Sequence, residues 1–189
     1  GGGDYTFQGS NFGYTSGGLT TPTTVATIDK FSLTSDGNAT SVGSLTQARR
    51  STSSQSSSVS GYTSGSAPST NIIDKFPFSS DTDASDVGDL SSPRGRATGQ
   101  STANSGYASG GESSSVIDKF PFSSDTNATN IASLTQARSD LAGHSSTTNG
   151  YSAGGWIGSN SNTIDKFPFS SDTNATDVGD IYAGRSSMT

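Results

Sequence analysis

A thirteen-residue stretch at positions 117–129, Ile-Asp-Lys-Phe-Pro-Phe-Ser-Ser-Asp-Thr-Asn-Ala-Thr, recurs in close copies that begin at Ile28, Ile73 and Ile164, at spacings of 45, 44 and 47 residues. Such a chain folds as one unit repeated four times, and a period of this size belongs to propeller blades or helical arrays rather than to short-rung solenoids. Turn-forming clusters of Gly, Pro, Ser and Thr follow one another about every 8 to 12 residues, and no segment carries apolar residues three and four apart. The unit is therefore expected to be several short strands joined by turns.

Composition taken alone argues the other way. Only 28% of the 189 residues are hydrophobic, and a chain so rich in Ser, Thr and Gly ordinarily buries too little apolar surface to offset its ordering entropy. The repeat overrules this, because disorder does not keep an aliphatic residue, two aromatics, an Asp and an Arg at fixed offsets through four copies. Stacked units sharing a continuous core require it, and they make the chain a single repeat domain. A net charge of −6 excludes a nucleic-acid phosphate backbone as partner. No stretch approaches the roughly 20 apolar residues of a membrane span, and no basic-then-apolar signal opens the chain, which starts Gly1-Gly2-Gly3 without Met. The absence of Cys excludes disulfides, thiolate metal sites and a Cys nucleophile, and leaves the redox compartment open.

The units run approximately over residues 1–48, 49–93, 94–137 and 138–184, with a short tail at 185–189. In the last unit a polar segment at 139–149 is followed by Gly150-Tyr151, a loop, the strand around Ile164-Asp165-Lys166-Phe167, a turn at 171–174 and a final strand leading to Arg185. This order predicts four short strands per unit. An aliphatic residue stands four positions before each terminal arginine (Leu45, Leu90, Leu134, Ile181) and another seven before (Val42, Val87, Ile131, Val178). Gly stands six before in three copies and Ala132 in the other. A spacing of three does not suit plain alternation, so a bulge or turn is expected at the Gly. In the third strand Asp74, Phe76 and Phe78 alternate on one face, with Ile73 and Lys75 on the other. These motifs hold seven of the nine Phe, the main apolar content of a thin core, and Leu33 stands in for Phe in the first copy.

A strand ending in Gly-Gly, a strand ending in a Ser/Asp/Thr/Asn turn, and a strand leading to an arginine followed by Gly-His together resemble the kelch repeat. Gly17-Gly18, Gly110-Gly111 and Gly154-Gly155 match the diglycine, and Arg138 with Gly143-His144 matches the junction into the next unit. The resemblance implies four-stranded blades of a β-propeller. The chain departs from it at Gly65-Ser66 and at Ala39, Ala84, Ala128 and Ala175, where kelch blades carry Trp. The wording of the repeat also resembles repeat proteins carried by tailed phages of marine bacteria, which implies a virion component. Four blades suffice for a ring, and both chain ends fall at nearly the same phase of the repeat, so the expected fold is an all-β propeller of four kelch-like blades. The alternative is part of a propeller or array with more blades.

The most regular charged feature is the set Arg49, Arg94, Arg138 and Arg185. As a ring on one face they could hold an anionic sugar or an acidic partner through bidentate hydrogen bonds. The plainer reading ties each arginine to carbonyls or an Asp at its crossing between blades, and it is favoured because a group present in every unit is more often scaffold than site. The Asp-Lys pairs (Asp29-Lys30, Asp74-Lys75, Asp118-Lys119, Asp165-Lys166) are read in the same way, as inter-blade contacts. The acidic turn at Asp81-Thr82-Asp83 lacks the Gly and distal Glu of an EF-hand and is read as Asx-turn chemistry. Asn38, Asn127 and Asn174 spell glycosylation sequons at positions where a turn already favours Asn.

What differs between units singles out Trp156, the only Trp, in the longest loop, where it suits sugar stacking, a protein contact or a plug over the core edge. His144 is the only His, so no two-His metal site exists, and its kelch-like position accounts for it without chemistry. No cofactor or metal is expected. Some kelch-like propellers are oxidases or sugar isomerases, but their copper or carboxylate-and-His constellations exceed what one His and no Cys supply. The expected function is a non-enzymatic structural and interaction module of a phage virion (fibre, tail or head decoration), with other virion or surface proteins as partners and host-surface glycans as a candidate ligand. The alternative is a secreted or surface-attached bacterial adhesin or carbohydrate-binding propeller.

Overall fold

The structure, a computed structural model, describes residues 11–188. It is all-β, with fifteen strands in four antiparallel sheets and no helix among the described residues. The first sheet contains β1 (Phe12–Thr20), β2 (Thr23–Ser32) and β3 (Thr40–Ser44). The second contains β4 (Ser53–Ser56), β5 (Ser60–Ser66), β6 (Thr70–Pro77) and β7 (Ser85–Asp89). The third is β8 (Thr98–Ser101), β9 (Ser105–Ser109), β10 (Val116–Pro121) and β11 (Thr129–Ser133), and the fourth is β12 (Ala142–Ser145), β13 (Asn149–Ala153), β14 (Thr163–Pro168) and β15 (Thr176–Asp180). Each sheet is a simple meander of sequential neighbours, a β-propeller-like arrangement in which one sheet is one blade. The part of the first unit at residues 1–10 lies outside the described residues.

The bulge expected near the glycine is present in every blade. Ile73 pairs with Gly88 while Asp74 pairs with Asp86, so Val87 is the extra residue; Val42, Ile131 and Val178 are skipped in the same way. A bulge re-aims a side chain, and Val42, Val87 and Ile131 all pack into the clusters between blades. The odd spacing of aliphatics is thus how a two-faced strand puts both of them on the same side.

Each cluster draws a different set of residues from the two blades it joins. The preceding blade contributes a Tyr, the repeat Ile and the two aliphatics, as with Tyr62, Ile73, Val87 and Leu90; the following blade contributes Phe120, Phe122 and Ala128. Tyr14, Tyr62 and Tyr107 lie against the second Phe of the following blade, with ring centroids 4.8 to 5.0 Å apart. Ala84, Ala128 and Ala175 are buried in the same joints, in clusters with the Phe and Tyr rings.

Two glycines per blade are dictated by geometry. The glycine before each Tyr lies under the first Phe of its own blade, and a Cβ on Gly106 would lie 2.5 Å from the Phe120 ring. The first glycine of each diglycine has φ between 61° and 69° and abuts the carbonyl of an arginine, from Arg49 to Arg185. Its successor donates its N–H to that carbonyl in all four blades, including Ser66, which has no positive φ and explains why only the first glycine is invariant.

Toward the inner strands the core turns polar. Gln55 and Gln100 donate to the carbonyls of Tyr107 and Tyr151 in the following blade at 2.8 and 2.9 Å, and the Ser109 and Ser152 hydroxyls meet at 2.8 Å. Four turns, at Ser51, Arg96, Asp140 and Ser187, share φ between 53° and 59° and line one cavity of about 530 Å³. They are linked in order, Arg96 N–H to the Ser51 carbonyl, Asp140 N–H to Arg96 and Ser187 N–H to Asp140. The four turns therefore form one hydrogen-bonded series along this cavity.

Because a Cβ on Gly106 would lie 2.5 Å from the buried Phe120 ring, Gly106→Ala is expected to destabilise the fold by about 1–3 kcal/mol through overpacking. Gly37→Ala, where an added Cβ meets nothing within 4 Å, is expected to change nothing. Urea denaturation of the two variants checks the contrast.

Candidate functional site

The repeated charges converge on the joints. The Arg49 guanidinium crosses into the second blade, donates to the carbonyls of Thr63, Gly65 and Ile72, and reaches the Asp74 carboxylate at 2.6 Å. Arg138 does the same in the fourth blade, with Ser152, Gly154, Thr163 and Asp165 at 2.7 Å. Arg94 reaches Gly110, Ala108 and Asp118, the last at 2.8 Å. All three pairs are at most 2% exposed. These arginines are thus inside the joints, bonded to carbonyls and an Asp, and do not present guanidinium groups to a ligand at the surface. Burial pushes the Arg49 guanidinium down, and Asp74 pulls it back up.

The carboxylate is also held by the preceding blade. Thr46 and Thr135 each give an N–H and a hydroxyl to Asp74 and Asp165. The middle joint has Ser91 in this place, which donates only its N–H, and the Asp118 Oδ1 atom is left without a partner.

At the rim, Lys30, Lys75 and Lys119 reach Asp81, Asp125 and Asp172 of the following blade at 3.0 to 3.1 Å. These pairs are partly exposed and contribute at most about 1 kcal/mol each. Asp83, Asn127 and Asn174 accept the backbone N–H of Ser44, Asp89 and Ser133, so the turn acids and two of the sequon asparagines serve as inter-blade acceptors. Among the described residues no group of three or more His, Asp or Glu is placed to hold a metal ion.

Arg185 differs from its three counterparts. Its carbonyl is docked on the Gly155 N–H of its own blade, but its side chain is exposed and its Nε lies near the Met188 sulfur at 3.3 Å. His144 is exposed on β12, at the position where Gln55 and Gln100 bond the following blade, and with Arg185 it lines a cavity on the far side of the fourth blade. Trp156 is 45% exposed beside the exposed Ile157. Its backbone exchanges hydrogen bonds with Ser139 at 2.8 and 3.1 Å, in a loop that Ser161 closes on Gly155. The structure therefore brings Arg185 and His144 together, leaves Trp156 apart, and removes Arg49, Arg94 and Arg138 into the interior. Sequence reasoning gave the tyrosines no role, although a Gly-Tyr pair recurs in all four units, at Tyr14, Tyr62, Tyr107 and Tyr151.

Deleting one partner of a buried pair leaves the other charge uncompensated, so Arg138→Ala is expected to cost about 3–5 kcal/mol. Arg185→Ala, measured on dilute protein, is expected to leave the melting temperature unchanged. A second expectation concerns alkaline pH. Burial pushes the Tyr107 phenol from 10.0 up to about 12, with Asp172 adding to it, and burial raises Tyr62 as well. The folded state then keeps these protons where the unfolded chain loses them, so their contribution is full below about pH 10 and is lost as pH rises toward 12. Urea midpoints across that window are expected to fall, and to fall less in Tyr107→Phe.

Comparison with protein-family models and with the curated proteins returned no match.

Proposed function

We propose that the chain is a kelch-like β-propeller acting as a non-enzymatic structural and interaction module, and that it is a component of a phage virion. The observation that carries the module reading is the location of the charged repeats. Three of the four arginines, and the Asp-Lys pairs of the internal joints, hold blade to blade. That leaves a rigid scaffold whose distinctive exposed feature is a loop, and binding residues are concentrated on loops held by such scaffolds. The half-exposed Trp156 with Ile157 suits stacking on a sugar face, so host-surface glycans are the ligand class for this loop. The virion assignment is supported by the wording of the repeat alone. The propeller reading is supported by four inward turns around one cavity, and a ring is completed by one further joint of the kind the three internal ones display.

Immunogold electron microscopy of the source material, with an antibody raised to this chain, tests the assignment. Label on phage tails, fibres or heads is the expected result. Label confined to cell envelopes would reject it and favour a surface adhesin. On a glycan array or host cells, Trp156→Ala is expected to lose at least tenfold in binding with unchanged melting, about the effect of removing one aromatic anchor.

A further inference from the structure

The two end faces of the chain are the two halves of the joint that is made three times inside it. The outgoing face of the fourth blade carries Val178 and Ile181 where the internal joints bury Val87 and Leu90, and Val178 is 47% exposed. A Cβ on Gly179 would meet nothing within 4 Å, whereas one on Gly43 or Gly88 would strike the turn of the following blade. The incoming face of the first blade carries Phe31 and Leu33 where the internal joints hold one buried and one partly buried Phe, and Leu33 is 54% exposed. Ala39 is exposed too, although Ala84, Ala128 and Ala175 are buried.

The charges match in the same order. Among the described residues Arg185 and Lys166 have no carboxylate partner on the outgoing face, and Asp29 and Asp36 have no cation on the incoming one. By register, Arg185 stands to Asp29 as Arg138 stands to Asp165, and Lys166 stands to Asp36 as Lys119 stands to Asp172. Both faces are thus open among the described residues of one molecule.

We infer that the outgoing face of one chain takes the incoming face of a second copy, forming a head-to-tail joint built from Arg185–Asp29, Lys166–Asp36 and the packing of Val178 and Ile181 on Phe31 and Leu33. This contact is heterologous: it closes into a ring if the rotation closes and extends into a filament if it does not. It excludes a two-fold dimer through like faces, because each face meets its complement and not itself.

Sedimentation velocity over a concentration series tests this, with Val178→Arg blocking the outgoing face and Leu33→Arg the incoming one. Both sites are exposed in the single chain, and circular dichroism checks that each variant folds. The wild type is expected to associate with rising concentration. Each variant alone is expected to stay monomeric, and an equimolar mixture to stop at a dimer, since each chain retains one working face. A wild type that is monomeric at every concentration overturns the inference, and if the variants then also melt well below it, the occupant is the chain's own first blade. Variants that associate as the wild type does place the contact elsewhere and overturn it equally.

Discussion

Each joint depends on a buried arginine that is anchored in one blade by its backbone and in the next by its side chain. A buried ion pair is weak evidence for stability in itself, because desolvation offsets the attraction. Here the guanidinium also takes up carbonyls from two strands of the following blade, and the carboxylate is bonded from the preceding one. Neither charge is satisfied unless both blades are folded and in register. The pair therefore acts as a coupling term between neighbours, the quantity that sets cooperativity in a repeat array.

This coupling explains how a chain with 28% hydrophobic residues has an ordered interior. The joints between the second, third and fourth blades combine Phe, Tyr and Ala packing, a buried ion pair, and Ser and Gln hydroxyl and amide bonds toward the inner strands. A single hydrogen bond contributes only about 0.5–1.5 kcal/mol net, whereas a buried group left unbonded costs more. A core of this kind gains less from area than from specificity, since a slipped register leaves several polar groups unbonded at once. The small side chains are part of that design, because Gly and Ser allow blades to approach closely enough for backbone carbonyls to be reached across the joint.

The same logic separates scaffold from candidate surface. Groups repeated in each unit are used between units, and their roles lapse at the first and fourth blades, where Arg185, Lys166, Asp29 and Asp36 have no ion-pair partner among the described residues. The end faces and the Trp156 loop are different kinds of surface. The first is an unfinished copy of an internal interface. The second is a loop of the fourth blade that carries a Trp with 45% of its surface exposed.

The repeat, its period and its turn residues determined by themselves that the chain is all-β in short-stranded units, and the three-residue spacing of aliphatics determined a bulge, because strand alternation leaves no other way to bury both. The use of Arg49, Arg94 and Arg138 as scaffold was legible from their recurrence, while their partners were not: Asp74, Asp118 and Asp165 lie 24 to 27 residues onward, a distance set by how one blade stacks on the next. The partners of the tyrosines and of the Ser/Gln layer were illegible for the same reason: Gly-Tyr recurs in all four units, but recurrence does not reveal which group of another sheet it meets. Nor could the sequence distinguish Arg185 from the other three, because identical local residues acquire different environments only when a following blade is present or missing. Local pattern decides strands and turns; the packing of one sheet on another decides which charges are buried, which faces remain open and which loop stands clear.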